Sequence, residues 1–191
     1  MATQNKTQPK YSCQYCLLSL MIIINEVIKG ENNKEVPLPT VGFNVESIKY
    51  RGHQLAIFDL GGQDTTRNLW QHHYVNTRAI IFVIDSSDHN RILPDDDKKE
   101  EYNLKSLTLG SVREEIIKLL NEPQLRHCKN YLIFANKQDI DNALSPFDLE
   151  AKLGLRGYQD KNLHFQASSA KNKTGITQGM DWLINALYKN N

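Results

Sequence analysis

Tyr131-Leu132-Ile133-Phe134-Ala135-Asn136-Lys137-Gln138-Asp139 sets five apolar residues in a row and then four polar ones. A short apolar run without alternation suits a strand buried on both faces, as in a parallel sheet. The polar group would then leave the carboxyl end of that strand, where open α/β sheets hold their ligands. An Asp at such an end can accept hydrogen bonds from the N1–H and N2–H₂ of guanine, a pair that adenine cannot offer. The Lys stem can lie over a base face, and the Asn can tie neighbouring loops together.

Working outward, Ala79-Ile80-Ile81-Phe82-Val83-Ile84 is a second such run, and residues 163–168 form a weaker one. Helical stretches separate them. Ser111 and Glu114 make a capping box that opens residues 116–120. Ser145-Pro146 opens a helix that Gly154 closes, and residues 176–188 form the last helix. Upstream, Phe43 and Val45 alternate with polar neighbours, Arg51-Gly52-His53 is a turn, and residues 54–58 return as a second strand of a hairpin. Before it, Pro37 and Pro39 force extended backbone. Residues 17–28 carry apolar residues at helical spacing, with Gly30 as the stop. Strands alternating with helices predict a three-layer α/β sandwich around a mostly parallel sheet. Residues 93–110 lack periodicity, hold Asp95-Asp96-Asp97 and Glu100-Glu101, and read as an exposed insertion.

Composition excludes several classes. With 23 Lys+Arg against 22 Asp+Glu in 191 residues, no basic excess points to nucleic acid. Three Cys do not make a disulfide framework and suit a reducing compartment, so a cytoplasmic location is expected. The apolar run at residues 16–24, broken by Ser19, is too short to span a bilayer, and no A-x-A site follows it. Ala2 stands where N-myristoylation needs Gly, and no prenylation box closes the chain.

Two further clusters sit at strand ends. Asp59-Leu60-Gly61-Gly62-Gln63 offers a carboxylate able to hold Mg²⁺ through water, and glycines that let backbone N–H groups approach a phosphate. It ends in a Gln able to orient an attacking water. Ser168-Ser169-Ala170-Lys171 offers backbone N–H groups to a guanine O6. In order and spacing the clusters resemble those of small GTPases of the ADP-ribosylation-factor and Arf-like family. Pro39-Thr40-Val41-Gly42-Phe43-Asn44-Val45-Glu46 is similar to that family's first switch and interswitch strand. Asp59 to Asp64 is similar to its second switch, continued by Leu69-Trp70-Gln71-His72-His73-Tyr74. Phe134 to Asp139 and Gly179-Met180-Asp181-Trp182-Leu183 also match. The resemblance runs from Pro39 to Leu187, interrupted by residues 93–110. It divides the chain into a divergent segment 1–35 and an Arf-like domain 36–191.

The resemblance implies a guanine-nucleotide switch that binds GTP or GDP with Mg²⁺ and, as a GTPase, hydrolyses GTP. Thr40 and Asp59 would hold Mg²⁺, with Thr40 and Gly62 also donating to the γ-phosphate. Gln63 would position the hydrolytic water. Asn136, Lys137, Asp139, Ser169 and Ala170 would form the guanine pocket. Phe43, Phe58 and His73 would form the surface for effector and regulator proteins; Phe58 stands where the family has Trp, and His73 where it has Tyr. Vesicle trafficking, a monomeric state and a peripheral position on an intracellular membrane are further family expectations, the last without an acylation site at Ala2.

One element departs from the pattern. The phosphate-binding loop G-x-x-x-x-G-K-[ST] is absent: none of the ten Gly precedes a Lys, and residues 14–21 stand where the loop is expected. The loop's bonds to phosphate are worth roughly 1.5–3 kcal/mol each, so losing about 6 kcal/mol weakens binding by about four decades. Residues 7–13, with Pro9 among them, make a poor strand, so the sheet's first strand also reads as missing. Either another segment fills its slot, residues 17–24 being one choice, or the chain is an incomplete gene product. A pseudo-GTPase serving as an interaction module is the alternative function. Cys13 and Cys16 have zinc-like spacing, but Cys128 is the third and last Cys and four ligands are needed. Reversible acylation of Cys13 and Cys16 beside the apolar helix is the other reading of the pair. His72-His73 reads as part of the second-switch helix rather than a metal site.

Overall fold

The computed structural model describes residues 12–14, 43–61, 70–92 and 112–188. Six strands form one sheet: β1 (Ser12–Gln14), β2 (Phe43–Tyr50), β3 (His53–Leu60), β4 (Thr77–Asp85), β5 (Asn130–Asn136) and β6 (Asn162–Ala167). Their order is β2-β3-β1-β4-β5-β6, antiparallel between β2 and β3 and parallel elsewhere. Among the described residues the α-helices are α1 (His89–Ile92), α2 (Val112–Asn121), α3 (Pro146–Leu153) and α4 (Ile176–Tyr188).

The unbroken apolar runs are explained by two covered faces. Along β4, Ala79, Ile81 and Val83 face α4, while Ile80, Phe82 and Ile84 pack with residues of α2 and α3. Phe134 and Leu132 of β5 lie on the α4 side, Ile133 and Ala135 on the other. The stripe Ile176, Met180, Leu183, Ile184 and Leu187 turns one side of α4 inward at helical spacing. The Ser145 cap is as expected: its Oγ accepts the Asp148 N–H at 3.1 Å, Pro146 follows, and Gly154 ends α3 with a left-handed backbone.

The first strand corrects an expectation. Residues 12–14 fill the slot read as empty, with Cys13 opposite Ile57 on β3 and Ala79 on β4. Two flanking strands present open hydrogen-bonding edges there. Unpaired backbone inside a domain is costly, so tertiary demand outweighs a weak local propensity. Of residues 14–21, where the phosphate loop is expected, Gln14 ends β1 and residues 15–21 lie outside the described residues, as do the helix at residues 17–28 or strand at residues 17–24, the Ser111 cap and the insertion at residues 93–110.

The hairpin turns through Arg51 and Gly52, both with positive φ (49° and 84°), a two-residue loop that matches strand twist. His53 belongs to β3 rather than to the turn. The hairpin is tied to α4 across about 130 residues of chain. Arg51 Nε and Nη2 donate to Asp181 Oδ1 (2.9 Å) and Oδ2 (2.8 Å), and Tyr50 OH donates to the same Oδ1 at 2.6 Å. The fork and the phenol hold the Asp181 carboxyl below its ordinary range, while burial, then Asp181, pushes the Tyr50 phenol up to about 12. His53 stacks on Tyr188, centroids 3.6 Å apart, beside this tie.

Candidate functional site

The parallel strands bring Asp59, Asp85, Asn136 and Ala167 to one rim of the sheet, each at or one residue before its strand's last position. From β3 to β5 this rim crosses three strand spacings, about 14 Å. The rim therefore has two separate ends.

At the β5–β6 end, Asn136 is buried and its Oδ1 accepts the Ala170 N–H at 3.0 Å and the Ser168 hydroxyl at 3.5 Å. Lys137 takes a left-handed backbone (φ 72°), which turns the chain sharply off β5. Its ammonium lies 3.7 Å from Asp85, whose carboxylate also accepts Ser87 N–H (3.0 Å) and Oγ (2.6 Å). Gln138 serves the scaffold: its N–H donates to Ser168 O and its side chain to Leu144 O. Asp139 Oδ1 accepts the Ser169 hydroxyl at 2.6 Å, and Lys171 lies 3.7 Å from Oδ2. The Ser169 hydrogen bond, above all, holds this carboxyl below its ordinary range, so it is ionised at neutral pH. Ser169 is 1% exposed, and its Oγ in turn accepts the Asn172 N–H.

Sequence reasoning placed Asn136, Lys137, Asp139, Ser169 and Ala170 in one pocket, and the structure brings them together. An ionised carboxylate beside a fixed Asn and a turn of backbone N–H groups suits a flat base bearing adjacent N–H donors. The motif spacing could not show how the Ser169 hydroxyl orients the Asp139 carboxylate.

At the other end, Asp59 is 3% exposed and sits opposite Asn44 on β2. Thr40, Gly62 and Gln63 lie outside the described residues. Phe43, Phe58 and His73 converge, with His73 4.9 Å from Phe43 and 5.3 Å from Phe58 between ring centroids. Burial, then the neighbouring His72, lowers the His73 pKa below its ordinary 6.5, so the ring is neutral at pH 7. His72 and His73 belong to a 3-10 turn, Trp70–His73. No group of three or more His, Cys, Asp or Glu able to hold a metal occurs among the described residues. Phe43 and Val45 are 51% and 50% exposed on edge strand β2. The alternation of Phe43 and Val45 marks a half-buried strand, but the buried face of β2 is carried by Ile48 and Tyr50, and Val45 joins Phe43 on exposed surface. An open cavity of about 460 Å³, lined by Val75, Pro123, Arg126 and His127 among others, lies at the amino-terminal ends of β4 and β5, away from this rim.

Residues 22–187 match the sequence pattern of the Arf family, the ADP-ribosylation factor family. The chain belongs to this family. The fold agrees: it is similar to the structure of the Arl6 BBS3 small GTPase from Trypanosoma brucei with bound nucleotide analogue GppNp. The two share 28% identity at a TM-score of 0.75, over 95% of this chain and 99% of that one. This Arf family member therefore has the small-GTPase fold, with Asn136–Asp139 at the end of β5.

Proposed function

We propose that this Arf family member is a guanine-nucleotide switch, with the base read at the β5–β6 end of the rim. One observation carries the reading: Asp139 and Asn136 are held by Ser169 Oγ and Ala170 N, as a guanine-selective pocket requires. Asp139 would accept the base N1–H and N2–H₂, Lys137 would lie along its face, and the Ala170 turn would meet O6. Asp59, a carboxylate at the carboxyl end of β3, suits water-mediated retention of Mg²⁺. Thr40 would complete that site. A bound Mg²⁺ would neutralise phosphate charge. Gly62 would donate to the terminal phosphate, and Gln63 would orient water for hydrolysis. The aromatic cluster of Phe43, Phe58 and His73 would receive effectors and regulators from an Arf-like domain spanning residues 36–191. Trafficking on an intracellular membrane, from the cytoplasm, is the biological setting we infer from the family.

Equilibrium titration with a fluorescent GTP analogue and Mg²⁺ tests the proposal. We expect a dissociation constant below about 100 μM, or roughly −5.5 kcal/mol, and displacement by GTP but not ATP. Weaker binding overturns the switch. Partner capture that ignores GTP and GDP would then mark the chain as an interaction module lacking a phosphate loop.

A further inference from the structure

The guanine pocket depends on the loop that leaves β6 at Ser168 and re-enters the fold at α4. Ser169 and Thr174 close this loop with two backbone hydrogen bonds, each 3.1 Å. Lys173 N donates to Ala170 O at 3.3 Å within it. The two atoms that set the pocket, Ser169 Oγ and Ala170 N, project from its first half. Its last residue is Gly175.

Gly175 adopts φ +79°, a backbone that L side chains rarely take. It also lies directly against the end of β6. A Cβ placed there would stand 1.9 Å from the Ala167 carbonyl oxygen, 2.9 Å from the Ala167 carbonyl carbon and 3.0 Å from Ser168 Cα. All three are backbone atoms, so no rotamer change can clear the space. Gly175 cannot retreat the other way, because its carbonyl accepts the Gly179 N–H at 3.1 Å. Loss of that bond would leave a polar group unmatched in the first turn of α4. Any side chain at this position must therefore move the loop.

We propose that Gly175 is a positioning residue for base selectivity: its missing side chain lets the 168–175 loop close on the Ala167 carbonyl, which aims Ser169 and Ala170 at Asp139 and Asn136. The inference rests on the guanine-pocket reading above. It adds a residue that touches no part of the nucleotide and acts only through the loop. Gly154 is the natural control. It too has a left-handed backbone (φ 62°), but a Cβ there meets only the Arg113 guanidinium, at 3.9 Å.

The experiment measures competition by GDP and IDP against a fluorescent guanine nucleotide with Mg²⁺ in the full chain. The two differ by the 2-amino group that Asp139 would read. We expect Gly175→Ala to cut the wild-type preference for GDP over IDP by about tenfold. Gly154→Ala should leave the ratio unchanged while lowering the thermal midpoint. Thr174→Pro removes the N–H donated to Ser169 O without pressing on Ala167, and should cut the ratio by a smaller factor, about threefold. It decides the matter alone if circular dichroism shows Gly175→Ala to be unfolded. Equal weakening of GDP and IDP, with the ratio kept, means a purely structural glycine and overturns the inference while the pocket stands. A wild-type chain that does not distinguish GDP from IDP overturns the pocket and the inference together.

Discussion

The two ends of the rim are built on opposite physical terms. At the β5–β6 end, Asn136, Ser168 and Ser169 are buried polar groups, each in hydrogen bonds within the pocket. Networks of this kind are rigid and selective when satisfied, since a misplaced partner leaves a buried polar group unmatched. At the β2–β3 end, Phe43 and Val45 are half-exposed on an edge strand and the contacts are ring on ring. Apolar surface left in water gains free energy when a partner covers it, with little demand on geometry. The first end is prearranged for a small, hydrogen-bonding ligand; the second suits the surface of another protein.

The largest expected effect strikes the first end alone. Asp139→Ala should weaken guanine-nucleotide binding at least about 100-fold, because two charge-assisted bonds of roughly 1.5–3 kcal/mol each are lost. Thermal stability should fall as well, by about 1–3 kcal/mol, because the buried Ser169 hydroxyl loses its acceptor. Retained selectivity for GTP over ATP in this variant would show that the base is read elsewhere.

A smaller effect tests how the second end is anchored. The folded pKa of Asp181 is depressed by the Arg51 fork and then by Tyr50. Its contribution to stability is therefore complete above the unfolded value, about 3.9, and lost as pH falls through the folded value. Asp181→Asn should lower the thermal midpoint modestly at pH 7, because the pair faces solvent. The gap from wild type should close as the pH is taken below about 4. A gap independent of pH would assign the effect to packing. His73 works at a different pH. Its folded pKa is also depressed, so the stability it confers as a neutral ring is present above about 6.5 and lost as pH falls through the lower folded value.

The smallest effect on the fold should come from Phe43→Ser. An exposed position of this kind usually changes stability by no more than about 0.5 kcal/mol, and nucleotide affinity should be unaltered. Capture of a GTP-dependent partner should nonetheless fall. If nucleotide affinity fell as well, the two ends would be coupled, and the contrast between them would need revision.

Several features were legible because they are local. The apolar runs at Ala79–Ile84 and Tyr131–Ala135 announce strands covered on both faces. The Ser145-Pro146 start and Gly154 stop bound α3 through bonds within a few residues of chain. The polar run Asn136–Asp139 marked the carboxyl end of β5, where open α/β sheets gather their ligands. Nothing local announced Asp181 as the anchor of the hairpin, because its partners Tyr50 and Arg51 are about 130 residues away.

The sequence by itself determined the α/β class, the hairpin and the polar motif Asn136–Asp139 at the end of β5. Periodicity, capping and motif order act over a few residues and survive any arrangement of the rest. The tertiary structure alone decided three matters. Ser12–Gln14 became the central strand because two neighbouring edges required a partner there. Asp181 locked the interswitch hairpin to α4 because folding carried a carboxylate to a guanidinium. Gly175 acquired its role because Ala167, on a different element, left no room for a Cβ. Each is a contact between chain segments that no spacing encodes.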